Sequence, residues 1–451
     1  MKRLVVLGAG ESGLGAALLA KREGYAVFVS DGGTIAPVRK AVLLAAAIEF
    51  EEEKHDEERI LAADLIIKSP GIPSTVAVVQ QALQQGISVV DELEFASRYS
   101  KGKVISITGT NGKTTTTLLT YHLLKEAGWD VGLAGNVGKS WAGQLLAGDH
   151  AWWVIEISSF QIDGLVSMAP HIALLTNITP DHLDRYNYQM ERYIDSKMAL
   201  FKNMAVGDFA ILNLEDPFSK TGLDRSPVQA AHFGISLLEK SIQGGWSTED
   251  TLEFRVLGNQ AIVPISALTI QGKHNLLNAL GAGVAALLAG LTEGQLLSGY
   301  QTFKNAAHRM ELVRVLDGVR YINDSKGTNV EATFYALGSY KEPMIWIAGG
   351  VDKGNDYAVL TPLVVEGQVK ALICLGKDND KLKTAFAPHI EKILETQDLG
   401  QAVAWAQELA ENQEVVLLSP ACASFDLFKN YEDRGDQFKA AVAALLQKQS
   451  A

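Results

Sequence analysis

The chain has 451 residues, 47% of them hydrophobic and 20% charged, with 41 glycines against 12 prolines. At roughly 150 residues per domain this length argues for about three domains, and the proportions exclude a disordered, collagen-like or disulfide-framework chain. Lys and Arg number 40 against 52 Asp and Glu, for a formal net charge of −12, so no basic excess exists to neutralise nucleic acid or an anionic membrane.

Cys374 and Cys422 are the only cysteines, which makes a reducing compartment the simpler reading. The opening MKRLVVLGAG passes into glycine after four apolar residues, and no apolar run reaches membrane-spanning length. A cytoplasmic protein without membrane insertion is expected, with a monomer as the default.

Short apolar runs ending in Gly, Asn, Asp or Ser recur along the chain. They begin with LVVLGAG (4–10), AVFVSD (26–31), LIIKSPGIP (65–73) and SVVDE (88–92). VISITGT (104–110), VGLAGN (131–136), WWVIEISS (152–159), IALLTNI (172–178) and FAILN (209–213) follow. The last third adds RYIND (320–324), MIWIAGG (344–350), ALICLG (371–376) and VVLLSPA (415–421). Buried parallel strands read this way, with helices as crossovers. Around 230–270 the runs AAHFG, TLEFRVL, AIVPIS and LTIQG are short and alternating, which predicts a small antiparallel sheet. EFEEEKHDEER (49–59) reads as solvated surface. Boundaries are expected near residue 97, before a fresh strand and glycine loop, and near 305, before HRMELV.

The first glycine cluster, Gly8-Ala9-Gly10-Glu11-Ser12-Gly13, follows a strand and opens a helix, and Asp31 ends the next strand. Such a loop lets a phosphate approach the backbone at a helix N-terminus, and the Asp can bind a ribose. A tight strand–helix turn without ligand has the same signature. A second phosphate loop begins before a full dinucleotide fold could be completed, so a single uridine or adenine nucleotide suits this segment better than NAD.

That second loop is Thr108-Gly109-Thr110-Asn111-Gly112-Lys113-Thr114-Thr115, again between a strand and a helix. Backbone N–H groups of such a loop surround phosphates, the Lys neutralises them, and a Thr hydroxyl reaches Mg²⁺. It is a shortened variant, because Ile107 stands where the strict G-x-x-x-x-G-K-[ST] pattern has its first Gly.

Three further features carry charge chemistry. Glu156 lies inside the apolar run WWVIEISS, where an ionised carboxylate is costly unless paired with a cation. Asp181 and His182 follow the strand end LLTNITP, at the edge where α/β sheets place ligands. Lys197 sits among Ile194, Met198 and Phe201 on a helical stretch. It either snorkels to the surface or is a partly desolvated amine of lowered pKa, able to take up CO₂ and offer carbamate oxygens to Mg²⁺.

TGTNGKTT, GNVG, EISSFQ, TPDHLDRY, the Lys197 helix, HNLLNA, HRMEL, NDSKGTN, GGVDKG and SPACASFD…NYEDRGDQF stand in the order found in the Mur ligases. The chain resembles that family from residue 4 to about residue 440. GAGESG, NDSKGTN and SPACASFDLFKNYEDRG resemble the branch that adds D-glutamate to UDP-N-acetylmuramoyl-L-alanine. The resemblance implies an α/β chain of three domains: a Rossmann-like domain for the UDP substrate (1–97), a central P-loop-type ATPase domain (98–305) and a Rossmann-like domain for the amino acid (306–451). It implies an ATP-dependent ligase that works through an acyl phosphate and two Mg²⁺ ions.

Residue by residue, the resemblance puts Gly109, Thr110, Asn111, Gly112, Lys113, Thr114, Thr115, Asn275, Asn278, His308, Arg309 and Asp324 at ATP. It gives one Mg²⁺ to Thr114 and Glu156 and the other to His182 and a carbamylated Lys197, with Lys113, His182 and Lys197 as the catalytic set. Gly10, Ser12, Gly13, Asp31, Gly71, Asn136, Ser158 and Gln161 would meet the UDP substrate. Lys326, Thr328, Lys353, Ser424 and Phe425 would recognise D-glutamate, a dicarboxylate that asks for cations and hydroxyls. All three substrates are anionic, so these few cations concentrate positive charge within an acidic protein.

Departures from the family pattern are few: Tyr431 stands where Phe is frequent, Gly327 where Ala is common, and Glu11 brings a negative charge to the first glycine loop. Cys422 reads as a small buried residue. A folylpolyglutamate synthetase would share TGTNGKTT and the metal residues but has no need of the GAGESG segment. An NAD-dependent oxidoreductase leaves TGTNGKTT and Lys197 idle. A non-catalytic nucleotide-binding protein gives no reason for Glu156, His182 and Lys197 to accompany the loop.

Overall fold

A computed structural model describes residues 1–240, 243–270, 272–352, 354–365 and 369–447. Lys353, expected at the D-glutamate site, lies outside the described residues. The chain divides into two compact units, Met1–Thr269 with Leu276–Phe303, and Ile270–Asn275 with Lys304–Ala451.

In the first unit, β1 (Arg3–Leu7), β2 (Ala26–Ser30), β3 (Glu49–Glu51), β4 (Leu65–Lys68) and β5 (Ser88–Val90) form a parallel sheet in the order β3-β2-β1-β4-β5. Strand order reverses at β1, so a crevice opens beyond its carboxyl end, between the loops that follow β1 and β4. Those loops carry Gly8–Gly13 and Ser69–Gly71.

A second sheet of the same unit holds β6 (Lys103–Thr108), β7 (Val131–Gly135), β8 (Trp152–Glu156), β9 (Ile172–Leu175), β10 (Phe209–Asn213), β11 (Ala231–Ser236), β12 (Gly244–Ser247), β13 (Thr251–Val256) and β14 (Asn259–Pro264). Its order is β14-β13-β12-β11-β10-β9-β6-β8-β7. Here the reversal is at β6, which lies between β9 and β8, so the phosphate loop after β6 has the ends of both neighbours beside it. In register, Ile107 and Gly135 flank Glu156, and Thr108 pairs with Leu175.

The antiparallel segment differs from expectation. Ala231–Ser236 runs parallel to β10, and β12–β14 extend the large sheet as its edge. EFEEEKHDEER is also not all solvated surface. Glu51 is buried on β3, where its Oε1 accepts from Ser30 Oγ at 2.8 Å and from the Asp56 N–H at 2.7 Å. Those partners satisfy a carboxylate that burial would otherwise penalise.

The second unit is built on β15 (Glu311–Leu316), β16 (Val319–Asn323), β17 (Met344–Ala348), β18 (Val369–Leu375), β19 (Lys392–Thr396) and β20 (Val415–Leu418), ordered β15-β16-β20-β17-β18-β19. Only β15 is antiparallel to its neighbour. One face buries Trp346, Leu417 and Phe386, and the other buries Ile345, Ile347 and Phe438, which is why its central strands are continuous apolar runs.

Candidate active site

The helix Lys113–Glu126 starts directly from the glycine loop, with Gly112 at φ 80° as its N-cap. Gly109 sits at φ 147°, and a Cβ there would lie 1.9 Å from Thr176 Oγ1, so only glycine lets the loop pass this close to β9. Asn177 holds the loop from the other side, accepting from the Asn111 N–H at 2.9 Å and donating to the Asn111 carbonyl at 3.1 Å. Thr110 Oγ1 donates to the Thr179 carbonyl at 3.1 Å. Thr114 and Thr115 are buried in the first helical turn, and Asn278 Oδ1 accepts from Thr116 Oγ1 at 3.1 Å. Asn275 lies in the first turn of the helix Lys273–Ala289.

Lys113 and Lys197 converge on this loop. Lys113 Nζ donates to the carbonyls of Gly109 and Thr110 at 2.9 and 2.7 Å. Lys197, on the helix Met190–Met198, is 1% exposed, and its Nζ donates to the Gly109 carbonyl at 2.7 Å and to Thr108 Oγ1 at 3.4 Å. Burial, reinforced by the charge of Lys113, holds the Lys197 amine well below the usual lysine range. Of the two readings open for this residue, the desolvated amine is the one realised.

Glu156 ends β8 and is 1% exposed. Asn136 Nδ2 donates to its Oε1 at 2.6 Å, while Oε2 is buried with no hydrogen-bond partner among the described residues. His182 is at φ 52°, its ring edge-on to Phe160 at 5.2 Å and its Nε2 3.6 Å from Asp181 Oδ2.

A cavity of about 260 Å³ joins these groups: Lys113, Asn136, Asp181, His182, Tyr193 and Lys197 line it. Pro70 and Gly71 from the first sheet, and Ser158, Ser159 and Phe160 from the β8 loop, complete its wall. Ser158 and Gln161 form a capping box that fixes the start of the short helix Ser159–Ile162. Arg185 donates to the Gly71 carbonyl at 2.8 Å and lies over the Phe160 ring, tying the two sheets' loops together.

The first glycine loop is tightly folded. A Cβ on Gly13 would come within 1.9 Å of the Gly8 carbonyl. Gly10 caps the helix Glu11–Arg22, whose first turn holds Ser12. Asp31 accepts from the Ala9 N–H at 2.6 Å and the Gly33 N–H at 2.8 Å, so its carboxylate organises this loop and the one after β2.

In the second unit, of the expected residues that are described, Asp324, Lys326 and Thr328 follow β16, Ser424 and Phe425 follow β20, and His308 and Arg309 precede β15. Ser419 Oγ donates to Asp324 Oδ2 at 2.9 Å, and burial pushes the Asp324 carboxyl up to about 7. His308 is buried, hydrogen-bonded to Asn323 through Nδ1, and titrates below the ordinary histidine range because it is desolvated. Its neighbour Arg309 stands close enough to favour the Asp324 carboxylate. Lys326 Nζ donates to Tyr431 Oη at 2.8 Å, and the Thr328 N–H donates to the Lys326 carbonyl. Ser424 is buried, whereas Phe425 is 70% exposed. Cys422 is buried as expected.

Three family models match the chain: the Mur ligase MurD-like N-terminal domain over residues 2–91, the Mur ligase middle domain over 107–286, and the Mur ligase glutamate ligase domain over 308–422. The chain is 47% identical to the UDP-N-acetylmuramoylalanine–D-glutamate ligase of Christiangramia forsetii, across 98% of its own length and all of that protein. It belongs to the Mur ligase family. The ligase of the same name from Bacteroides fragilis is 45% identical over 99% of this chain and 100% of that one. Among solved structures, the MurF ligase of Thermotoga maritima in complex with ADP shares the fold with a TM-score of 0.60 at 15% identity, covering 98% of each chain.

Within this Mur ligase frame, two further residues shape the site. Asn177 braces the phosphate loop, and Tyr193 lines the cavity with its ring 5.2 Å from Lys197 Nζ. For Asn177 a signal existed, since an Asn closing the apolar run IALLTNI faces a ligand edge. Tyr193 gave none, being one more aromatic on an amphipathic helix. No helix among the described residues is long and apolar enough to cross a membrane.

Proposed function

We propose that the protein is an ATP-dependent ligase that joins D-glutamate to UDP-N-acetylmuramoyl-L-alanine, releasing ADP and phosphate, in peptidoglycan precursor synthesis. It acts in the cytoplasm as a monomer. Residues 1–97 take the UDP moiety at Gly10, Ser12, Gly13, Asp31 and Gly71, and residues 98–305 take ATP at Gly109–Thr115. Residues 306–451 recognise D-glutamate through Lys326, Thr328, Lys353, Ser424 and Phe425.

The alanyl carboxylate oxygen attacks the γ-phosphorus and ADP departs, leaving an acyl phosphate. The D-glutamate amine then attacks the acyl carbon, gives up a proton and expels phosphate. Both steps gather negative charge, so the work of the chain is positioning and neutralisation. The loop N–H groups and Lys113 neutralise the phosphates, and Asn136 and Ser158 orient the muramoyl-alanine part.

Two Mg²⁺ ions would supply further neutralisation of phosphate and carboxylate charge. The donors fit: Glu156 carries a buried carboxylate oxygen with no partner among the described residues, and Thr114 offers a hydroxyl in the first helical turn after the loop. Among the described residues no three His, Cys, Asp or Glu side chains cluster to hold a metal by themselves. Lys197 and His182 would hold the second ion. As an uncharged amine, Lys197 attacks CO₂ to give a carbamate and a proton, which adds two hard oxygens.

The meeting of Lys113, His182 and Lys197 around one cavity, in a chain alike end to end to D-glutamate ligases, supports this reading. Phosphate release from ATP with UDP-N-acetylmuramoyl-L-alanine and a panel of amino acids tests it. Release that depends on D-glutamate is expected; release with another amino acid, or with a folate acceptor in place of the UDP substrate, would overturn it.

A further inference from the structure

A lysine on a surface loop carries its charge on a long rotatable stem, so it recognises a carboxylate poorly unless something fixes the ammonium. Lys326 is fixed. Its backbone N–H donates to the His308 carbonyl at 3.1 Å, and its Nζ donates to Tyr431 Oη at 2.8 Å while lying 4.4 Å from the centroid of the same ring. Hydroxyl and ring face thus hold one ammonium between them.

Tyr431 is itself clamped. It opens the helix Tyr431–Ala444, which Asn430 caps by accepting from the Asp433 N–H at 2.8 Å. Its carbonyl accepts from Ser325 Oγ at 2.8 Å, and the same hydroxyl accepts from Arg434 Nε at 3.0 Å. Arg434 is 1% exposed and also donates to the carbonyls of Ser325, Gly349 and Cys422, so the helix start is bound to the loops after β16, β17 and β20. The Tyr431 ring stands edge-on to His308. The phenol is therefore a rigid post set beside a flexible cation.

We propose that Tyr431 is a positioning residue for amino-acid recognition, acting through Lys326 to aim its ammonium at a carboxylate of the incoming dicarboxylate. This rests on the reading that residues 306–451 bind D-glutamate. Tyr431→Phe keeps the ring and removes only the hydroxyl, so folding is preserved, which an unchanged Tm verifies. It raises KM for D-glutamate by about fivefold, the size of one typical net hydrogen bond. kcat and the KM values for ATP and the UDP substrate stay within about twofold. In a Lys326→Met background the same substitution moves KM for D-glutamate by less than about twofold, because coupled residues are not additive. An unchanged KM, a parallel rise for all three substrates, or an equal effect without Lys326 would overturn the proposal. Absence of D-glutamate-dependent turnover in the unsubstituted enzyme would instead overturn the functional reading.

Discussion

Lys113 and Lys197 donate to the same acceptor, the Gly109 carbonyl, at 2.9 and 2.7 Å. Two ammonium groups sharing one carbonyl disfavour each other's charge, and Lys197, fully buried, bears the greater cost. In the proposed chemistry the pair would divide the labour, Lys113 as a cation for phosphate and Lys197 as an amine reactive toward CO₂.

Lys197→Ala tests that division. The variant should lose most ligase activity, about a hundredfold or more if the transition state loses a charge-bearing group. Added acetate or formate should restore part of it by supplying the missing carboxylate oxygens. Turnover equal to that of the parent enzyme would refute the carbamate, and loss without rescue by any small carboxylate would count against it.

Glu92 sets a pH dependence. It is 1% exposed, accepts from Ser140 Oγ at 2.8 Å and from the Ala142 N–H at 2.6 Å, and leaves Oε2 buried with no hydrogen-bond partner among the described residues. Burial raises its carboxyl from the ordinary 4.5 to about 7. Between those values the folded chain keeps a proton that the unfolded chain has released, so stability falls as pH rises through this window, by up to ~3 kcal/mol. Glu92→Gln removes the titration. Thermal midpoints should favour the variant more at pH 8 than at pH 5, with a residual fall in both proteins from Asp91 and Asp324, whose carboxyls burial also raises; a gap independent of pH would contradict this.

The fold was legible where burial is two-sided. Runs such as VISIT and MIWIA read as strands because both faces are covered. Lys392–Thr396 and Glu311–Leu316 escaped because as edge strands they are half-exposed and carry no apolar run. Glu49–Glu51 escaped because its support comes from Ser30, 21 positions away in sequence. At the site, Lys113 announced itself through the glycine loop, Asp181 and His182 by following a strand end, and Glu156 and Lys197 as charged residues among apolar ones. The bracing by Asn177 and the Lys326–Tyr431 contact depend on pairings 66 and 105 positions apart, which no local pattern contains.

Gly327 gives a third test. A Cβ at this position would lie 2.5 Å from Asp324 Oδ2 and 3.0 Å from Ser419 Oγ, the two atoms that hydrogen-bond each other. Gly327→Ala should therefore push Asp324 off Ser419 and lower stability by about 1 kcal/mol. Calorimetry checks this. Wild-type stability would show that the loop absorbs the methyl and that Asp324 is not held as described.

The most direct test follows one oxygen. UDP-N-acetylmuramoyl-L-alanine labelled with ¹⁸O in its alanyl carboxylate is turned over with ATP and D-glutamate, and both products are weighed by mass spectrometry. Transfer of phosphate to the carboxylate, followed by amine attack, predicts one labelled oxygen in each phosphate released and one fewer in the amide product. Unlabelled phosphate, or no amide formed with D-glutamate, would contradict the account.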